Sequence, residues 1–316
     1  MLTLVSHSQT QKLQSSSHLP IGQTAGMTHD VIVLGSANAD LVVPAERRPG
    51  AGETVLGGDT VIMPGGKGAN TAVAAGKLGA DVALLGAIGD DHYGAMLLDS
   101  LRGAGVHTEL VRTSDRPTGI AYITVTPDGE NSILVSPGAN HALEPADVEG
   151  VLVGAKVMVA SLEVPLRTVE RAVVAAAAAG VRTLLNLSPA ATISDQALAA
   201  LDVLLVNEHE AAWLLGADAD PAKLLGLGPR AAVVTLGARG VLVLTPDGAV
   251  EVASPEVEAV DTTGAGDGFT GAFAAALAEG ADLEAAARRA VRVAAISVTR
   301  RGAQPSYPTA EELAAR

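Results

Sequence analysis

The chain has 316 residues, 48% of them hydrophobic, with 21 Lys and Arg against 35 Asp and Glu for a formal charge of −14. That acidity excludes a general nucleic-acid binder, which needs a basic face, and obliges any phosphate site to use local donors rather than the overall field. The absence of cysteine excludes disulfides, thiol nucleophiles and Cys-zinc sites, and six aromatic residues are too few for base-stacking platforms.

Residues 1–26 are polar, lack the apolar stretch of a signal peptide, and read as a disordered extension ending at about residue 28, with Met27 just before the first structured run. No apolar run reaches the ~18–20 residues of a membrane span, so a soluble, cytoplasmic protein with its folded part over 29–316 is expected. Val31–Ser36 has the length and composition of a buried strand. Gly65–Leu78 reads as a Gly-rich turn entering a helix, Val82–Gly86 as a strand, and Asp91–Leu101 as a helix stopped by Gly103 and Gly105. Strands are then expected at Lys156–Ala160, Thr183–Asn186, Val203–Val206 and Ala231–Leu236, with helices at Leu166–Ala179, Ser194–Ala200 and Glu208–Leu215 between them. Such alternation implies a parallel sheet covered on both faces. Two Ala-rich helices follow, about Gly266–Ala278 and Leu283–Thr299.

Two segments break the rhythm. Thr54–Met63 and Gly119–Val135 are strand-like without intervening helices, and the second contains the turn Thr126-Pro127-Asp128-Gly129. They read as a small antiparallel sheet over a ligand cleft, or as two ordinary surface hairpins. The same four residue types recur at Thr245–Gly248 as a further hairpin turn.

Ala259–Phe273, AVDTTGAGDGFTGAF, carries most of the chemistry. Gly264-Ala265-Gly266 should leave backbone N–H groups uncovered at a helix N-terminus, where the helix dipole favours phosphate. Asp267 follows at once. A carboxylate there repels a phosphate ligand but serves well as the base that takes a hydroxyl proton beside an anion hole; a plain Gly-rich turn is the alternative.

Other polar residues gather at expected strand ends. Asn38 and Asp40 in Gly35–Asp40 could bond a small polar ligand, and a carboxylate accepting from vicinal hydroxyls suits a sugar; an Asx turn explains each as well. Pro64–Asn70 (PGGKGAN) is not a Walker A loop, since Gly68 follows Lys67, and the first strand lacks the dinucleotide fingerprint. Its glycines allow close backbone approach and Asn70 can reach hydroxyls, while Lys67 is phosphate-facing or merely solvated. Glu163 follows another strand. Asn207 could serve a nucleotide phosphate or cap a helix, and a Glu beside it could reach magnesium through water. Thr235–Gly240 closes a strand with glycines, as a loop beneath a nucleotide would. His92, His107, His141 and His209 show no metal-ligand spacing and read as structural or surface residues.

GSANAD, GGKGAN, the Asn-Glu of NEHEAAWL, TLGARG, DTTGAGDGF and VTRRGAQPSYP occur in the order and spacing of the ribokinase family of sugar kinases, which the chain resembles from about Asp30 to Pro308. The resemblance implies a three-layer α/β/α fold with a mostly parallel sheet and a small antiparallel lid, at about 40–63 and 117–137. It implies Asp267 as the base, with Gly264, Ala265 and Gly266 as the anion hole. Asn38, Asp40, Gly66, Lys67, Gly68, Asn70 and Glu163 would hold the sugar. Asn207, Thr235, Gly237, Ala238, Gly240 and Gly266 would line the ATP site, with Mg2+ accompanying ATP. Asp261 and Thr263, backbone oxygens of Ser297, Arg300 and Gly302, and the Ser306 hydroxyl would hold an activating K+. Val291 stands where the family often places Asn or His against adenine. A homodimer through the lid strands is implied as well.

The expected reaction is ATP-dependent phosphorylation of D-ribose at O5. Its rivals are transfer to deoxyribose, fructose, another ketose or a nucleoside, and a silent sugar-binding protein on the same fold; a nicotinamide-dependent dehydrogenase is disfavoured by the missing fingerprint. Val61, Met63 and Ile123 are candidates for an apolar wall beside the sugar, or for strand packing.

Overall fold

The computed structural model describes residues 28–315; the extension expected over 1–28 therefore lies, but for Thr28, outside the described residues. The chain opens with β1 (Val31–Leu34), β2 (Asn38–Pro44), β3 (Val61–Gly65), α1 (Lys67–Lys77), β4 (Val82–Gly89), α2 (His92–Gly103) and β5 (Val111–Ser114). It continues through β6 (Gly119–Val125), β7 (Asn131–Ser136), β8 (Val157–Ala160), α3 (Leu166–Ala178), β9 (Arg182–Asn186), α4 (Asp195–Ala199) and β10 (Val203–Asn207). Then come α5 (Glu208–Leu215), β11 (Ala231–Thr235), β12 (Val241–Thr245), β13 (Gly248–Val252), α6 (Ala265–Ala278), α7 (Leu283–Ser297) and α8 (Ala310–Ala314). No described helix is long and apolar enough to cross a membrane.

Nine strands form one sheet in the order β13-β12-β11-β10-β9-β8-β1-β4-β5, parallel except at the β11–β12–β13 edge. Successive residues of β1 enter opposite layers, as the two-residue period of a strand requires. Val31 and Val33 pack with Val73, Leu97 and Phe273 from α1, α2 and α6, whereas Ile32 and Leu34 join Val169, Leu198 and Ala211 from α3, α4 and α5. Helix α6 is apolar nearly all round and almost wholly buried, the pattern of a helix covered by neighbours on several sides. Its glycines allow that: a Cβ on Gly268 would meet the Tyr307 ring at 2.9 Å.

The chain winds from β1 outward to β4 and β5, then returns to β8 and winds the other way. The direction reverses between β1 and β8, and the crevice outside the carboxyl ends of such a pair is where open α/β sheets bind ligands.

A second sheet, β3-β2-β6-β7, stands over that crevice. Its outer pairs are antiparallel and its central β2–β6 pair is parallel. Two expectations are corrected here. Thr54–Thr60 forms no strand, because Gly57 and Gly58 interrupt it, and β3 starts only at Val61. Asn38 and Asp40 form no Asx turn but lie on β2, paired with Gly65 and Met63 of β3, so the lid expected from about residue 40 already begins at Asn38. Strand β5 carries too weak a sequence signal to be expected: VRTS is short, and three of its four residues are polar.

Candidate active site

Asp267 lies in the first turn of α6 and is buried. The helix starts from Gly264, held at φ 72°, which only glycine adopts without strain and where a Cβ would lie 2.5 Å from Ala303 Cβ and the Tyr307 hydroxyl oxygen. Tyr307 donates to the Gly264 carbonyl at 2.9 Å and locks this turn. Among the described residues no acceptor pairs with the N–H of Gly264, Gly266 or Asp267, while that of Ala265 donates to Thr262 O at 3.2 Å. The helix end thus presents free donors and a positive dipole to the crevice.

Asn70, buried on α1, donates from Nδ2 to Asp267 Oδ2 at 2.9 Å. Burial pushes the Asp267 carboxyl above its ordinary range, and Lys67 together with the Asn70 hydrogen bond pulls against that rise. Facing Asp267 holds Lys67 above the usual lysine pKa although burial opposes it. Lys67 is the first residue of α1, and Gly66 before it takes φ 90°, where a Cβ would meet Asn38 N at 2.7 Å, so only glycine fits.

Glu163, just past β8, gathers three donors: the Ser36 hydroxyl at 2.5 Å, Lys67 N–H at 3.3 Å and Asn38 Nδ2 at 3.4 Å. Asp40 lies beside them. Burial, then the charges of Glu163 and Asp267, raise its pKa from 3.8 to about 7, with Lys67 opposing. Asn38, Asp40, Lys67, Asn70, Glu163 and Asp267 therefore converge at the switch point. Gly68 differs: its α-carbon packs on the Gly35 backbone, where a Cβ would come within 2.5 Å, so it sets how closely α1 approaches the end of β1.

Several residues that order this cluster were not singled out from sequence. Asn140 donates to Asn38 Oδ1 at 2.7 Å and accepts from Ala37 N at 2.9 Å. Gln304 donates to Asn70 Oδ1 at 3.1 Å. Ser36 and Gln304 lay inside conspicuous motifs, whereas nothing local marks Asn140.

Beside the cluster a cavity of about 170 Å³ is lined by Lys67, Asn207, Glu210, Thr235, Gly266 and Asp267 among others. It shares Thr235, Thr262, Ala265 and Gly266 with a larger, mainly apolar cavity of about 380 Å³. Gly237, Ala238 and Gly240 line the larger one, with Val257, Phe269 and Val291 forming apolar wall. Asn207 caps α5 through a reciprocal box: its Oδ1 accepts from Glu210 N and Glu210 accepts from Asn207 N, both at 2.8 Å. The capping role is real, and Asn207 also faces the smaller cavity. Glu208 instead pairs with Arg239 at the surface.

The segments named for a monovalent ion are drawn together by Asp261. Its carboxylate accepts from Thr263 N at 2.9 Å and Gly302 N at 2.8 Å, and its own N–H donates to Val298 O at 3.1 Å. Burial would raise its pKa, yet the hydrogen bonds from Thr263 and Gly302 hold it below the usual value. Ser297 O accepts from Arg300 N at 3.1 Å, Ser306 donates its hydroxyl to Ala303 O at 2.7 Å, and the Arg300 side chain turns away to Glu312.

A polar cluster meets a mainly apolar cavity at a helix N-terminus that carries a buried carboxylate. That juxtaposition serves transfer of a phosphoryl group from a nucleotide to an alcohol, and it places the molecule among small-molecule kinases. Residues 28–310 match the pfkB family of carbohydrate kinases, and the chain belongs to that family. It is 41% identical over 288 residues to a ribokinase of Bacillus subtilis, spanning 90% of this chain and 98% of that one. It is 38% identical over 296 residues to a deoxyribokinase of Salmonella typhi, spanning 90% and 97%. The structure of an Arabidopsis thaliana ribokinase complexed with ribose and ATP superposes with a TM-score of 0.84 at 33% identity, over 92% of this chain and 98% of that one.

Proposed function

We propose that this protein transfers the γ-phosphoryl group of ATP to O5 of D-ribose, giving ribose 5-phosphate and ADP. The observation that carries the reading is the buried Asp267 carboxylate, held by Asn70 beside the unpaired N–H groups of Gly264 and Gly266. Asp267 takes the hydroxyl proton, and those N–H groups, with Lys67, stabilise charge on the moving phosphoryl group. Asn38, Asp40 and Glu163 hold the sugar hydroxyls, and Gly66 lets backbone approach them. The large cavity takes the adenosine, with Val291 packing apolar surface on the purine.

One lysine among Asp40, Glu163, Glu210 and Asp267 leaves the cleft with surplus negative charge. That surplus fits Mg2+ entering with the triphosphate, where it would supply charge neutralisation. The oxygen set of Asp261, Thr263, the backbone carbonyls of Ser297, Arg300 and Gly302, and the Ser306 hydroxyl would suit K+, which would shape the loop leading into α6. Exposed Val61, Ile62, Tyr122, Ile133 and Leu134 on the lid sheet favour a homodimer formed lid to lid. Dependence on ATP and K+ suits the cytoplasm.

The test is sugar-dependent ADP release with MgATP, in potassium and in potassium-free buffer. Ribose-dependent release raised by potassium is expected. Greater kcat/KM with 2-deoxyribose would favour the second reading, which the deoxyribokinase relative motivates. Sugar binding without ADP release would indicate a silent binding protein.

A further inference from the structure

At the amino ends of β1, β4 and β5, away from the crevice, two histidines lie between two carboxylates. Buried His29 precedes β1 and Asp81 precedes β4. His107 and Glu109 sit on the segment entering β5, tied to β4 by His107 N donating to Val82 O at 2.9 Å and Leu84 N donating to His107 O at 3.2 Å. The rings lie 4.2 Å apart between centroids.

Each imidazole spans the same two acids. His29 places Nδ1 2.8 Å from Asp81 Oδ1 and Nε2 2.8 Å from Glu109 Oε1. His107 places Nε2 3.3 Å from Asp81 Oδ1 and Nδ1 3.7 Å from Glu109 Oε1. A neutral imidazole has one N–H and one lone pair. If both N–H groups point to Asp81, two nitrogen lone pairs converge on a carboxylate oxygen of Glu109. That convergence needs something positive within it, a proton on one ring or a metal ion held by both. One divalent ion takes both lone pairs and the Glu109 oxygen at once.

We propose that His29 Nε2, His107 Nδ1 and a Glu109 oxygen bind a Zn2+ ion, with Asp81 holding both rings through their other nitrogens. One ligand atom from each of the three residues lies within 4.8 Å of the others. Bonds of ~2.0–2.1 Å set tetrahedral ligands roughly 3.3 Å apart, and the 2.8 and 3.7 Å separations bracket that edge. A carboxylate on the far nitrogen of a metal-bound histidine is the usual outer support of such sites. Imidazole donors select zinc over Mg2+, which prefers oxygen. The ligands come from two distant stretches of chain, which is why spacing along the sequence conceals the site. Its place at the opposite end of the strands makes it a tie between β1 and the β4–β5 connection rather than a participant in phosphoryl transfer.

The test is calorimetric titration of the untagged, EDTA-treated full chain with ZnCl2, with metal content measured after dialysis. One zinc per chain is expected, displaced by chelator and indifferent to excess MgCl2. His107→Ala, at a half-exposed side chain, should keep sugar-dependent ADP release and lose at least ~10-fold in zinc affinity, and Asp81→Asn should lose ~10-fold or more through its orienting role. Failure of the parent chain to retain zinc would overturn the proposal, as would undiminished affinity in His107→Ala or effective competition by magnesium.

Discussion

Asn70 turns its Nδ2 toward Asp267 and its Oδ1 toward Gln304, at 2.9 and 3.1 Å, so the amide orientation is fixed from both ends. Gln304 is itself held, accepting the Ser100 hydroxyl at 2.6 Å. Only this orientation gives the carboxylate a donor, and it occupies Oδ2 while leaving Oδ1 for a substrate hydroxyl.

Asp267→Asn keeps the shape of the side chain and removes the base. With ribose and MgATP, kcat should fall by ~10²-fold or more while ribose KM changes little. Equal kcat in variant and parent would remove Asp267 from the reaction.

The pH profile follows from burial of the same group. A base works deprotonated, and Asp267 is raised above 3.8, so activity is lost as pH falls through that raised value. The acid limb of kcat/KM should stand above the ordinary carboxylate range. Gln304→Leu loosens Asn70, whose hydrogen bond lowers the pKa, and should move the limb further up; a limb that stays put would show that Asn70 holds Asp267 without help.

Asp40 trades stability for binding. Its folded pKa of about 7 exceeds the ordinary 3.8, so the folded state holds a proton that the unfolded chain has lost between those values. Stability therefore declines as pH rises through that window. Asp40→Asn should stabilise the sugar-free protein above pH 7, by at most roughly 4 kcal/mol, with little gain near pH 4. Ribose binding should weaken in the same variant. Urea unfolding at several pH values checks the first claim and sugar titration the second.

Gly68→Ala inserts a Cβ where the Gly35 backbone stands 2.5 Å away. The helix must retreat, at a cost of roughly 1–3 kcal/mol. Because Lys67 and Asn70 flank the position, ribose KM should rise together with the drop in Tm. A stable variant with parental KM would contradict the packing role.

Val291 is buried against the apolar cavity. Val291→Trp should fill part of that space and raise the KM for ATP severalfold or more while sparing ribose binding. Kinetics with each substrate varied in turn separate the two effects, and a rise confined to ribose would assign the cavity differently.

The alternation of strands and helices was legible because apolar periodicity is local, and so was the Gly66-to-α1 turn, whose glycines are needed for backbone approach. Strand β2 was reached only through family resemblance, from about residue 40: it opens on Asn38 and Asp40, and its strand character comes from pairing with β3 and with distant β6. Asp267 and Asn70 announced themselves within motifs. Asn140 could not, since its partners lie about a hundred residues away and no local pattern records that contact. The role expected of Gly68 shifted for a related reason: a glycine that meets a ligand and one that meets another backbone look alike in sequence.

Only three residues separate β1 from β2, so the lid sheet leaves directly from the strand at the switch point. Asn38 and Asp40 sit near that junction, while Leu134 rides far out on the lid sheet. Any rotation about that junction would displace the outer edge widely and the Asn38 and Asp40 side chains little. On the proposed function, recognition and enclosure would thus be mechanically separable: ribose would be read with the lid open, and closure would chiefly shut out water.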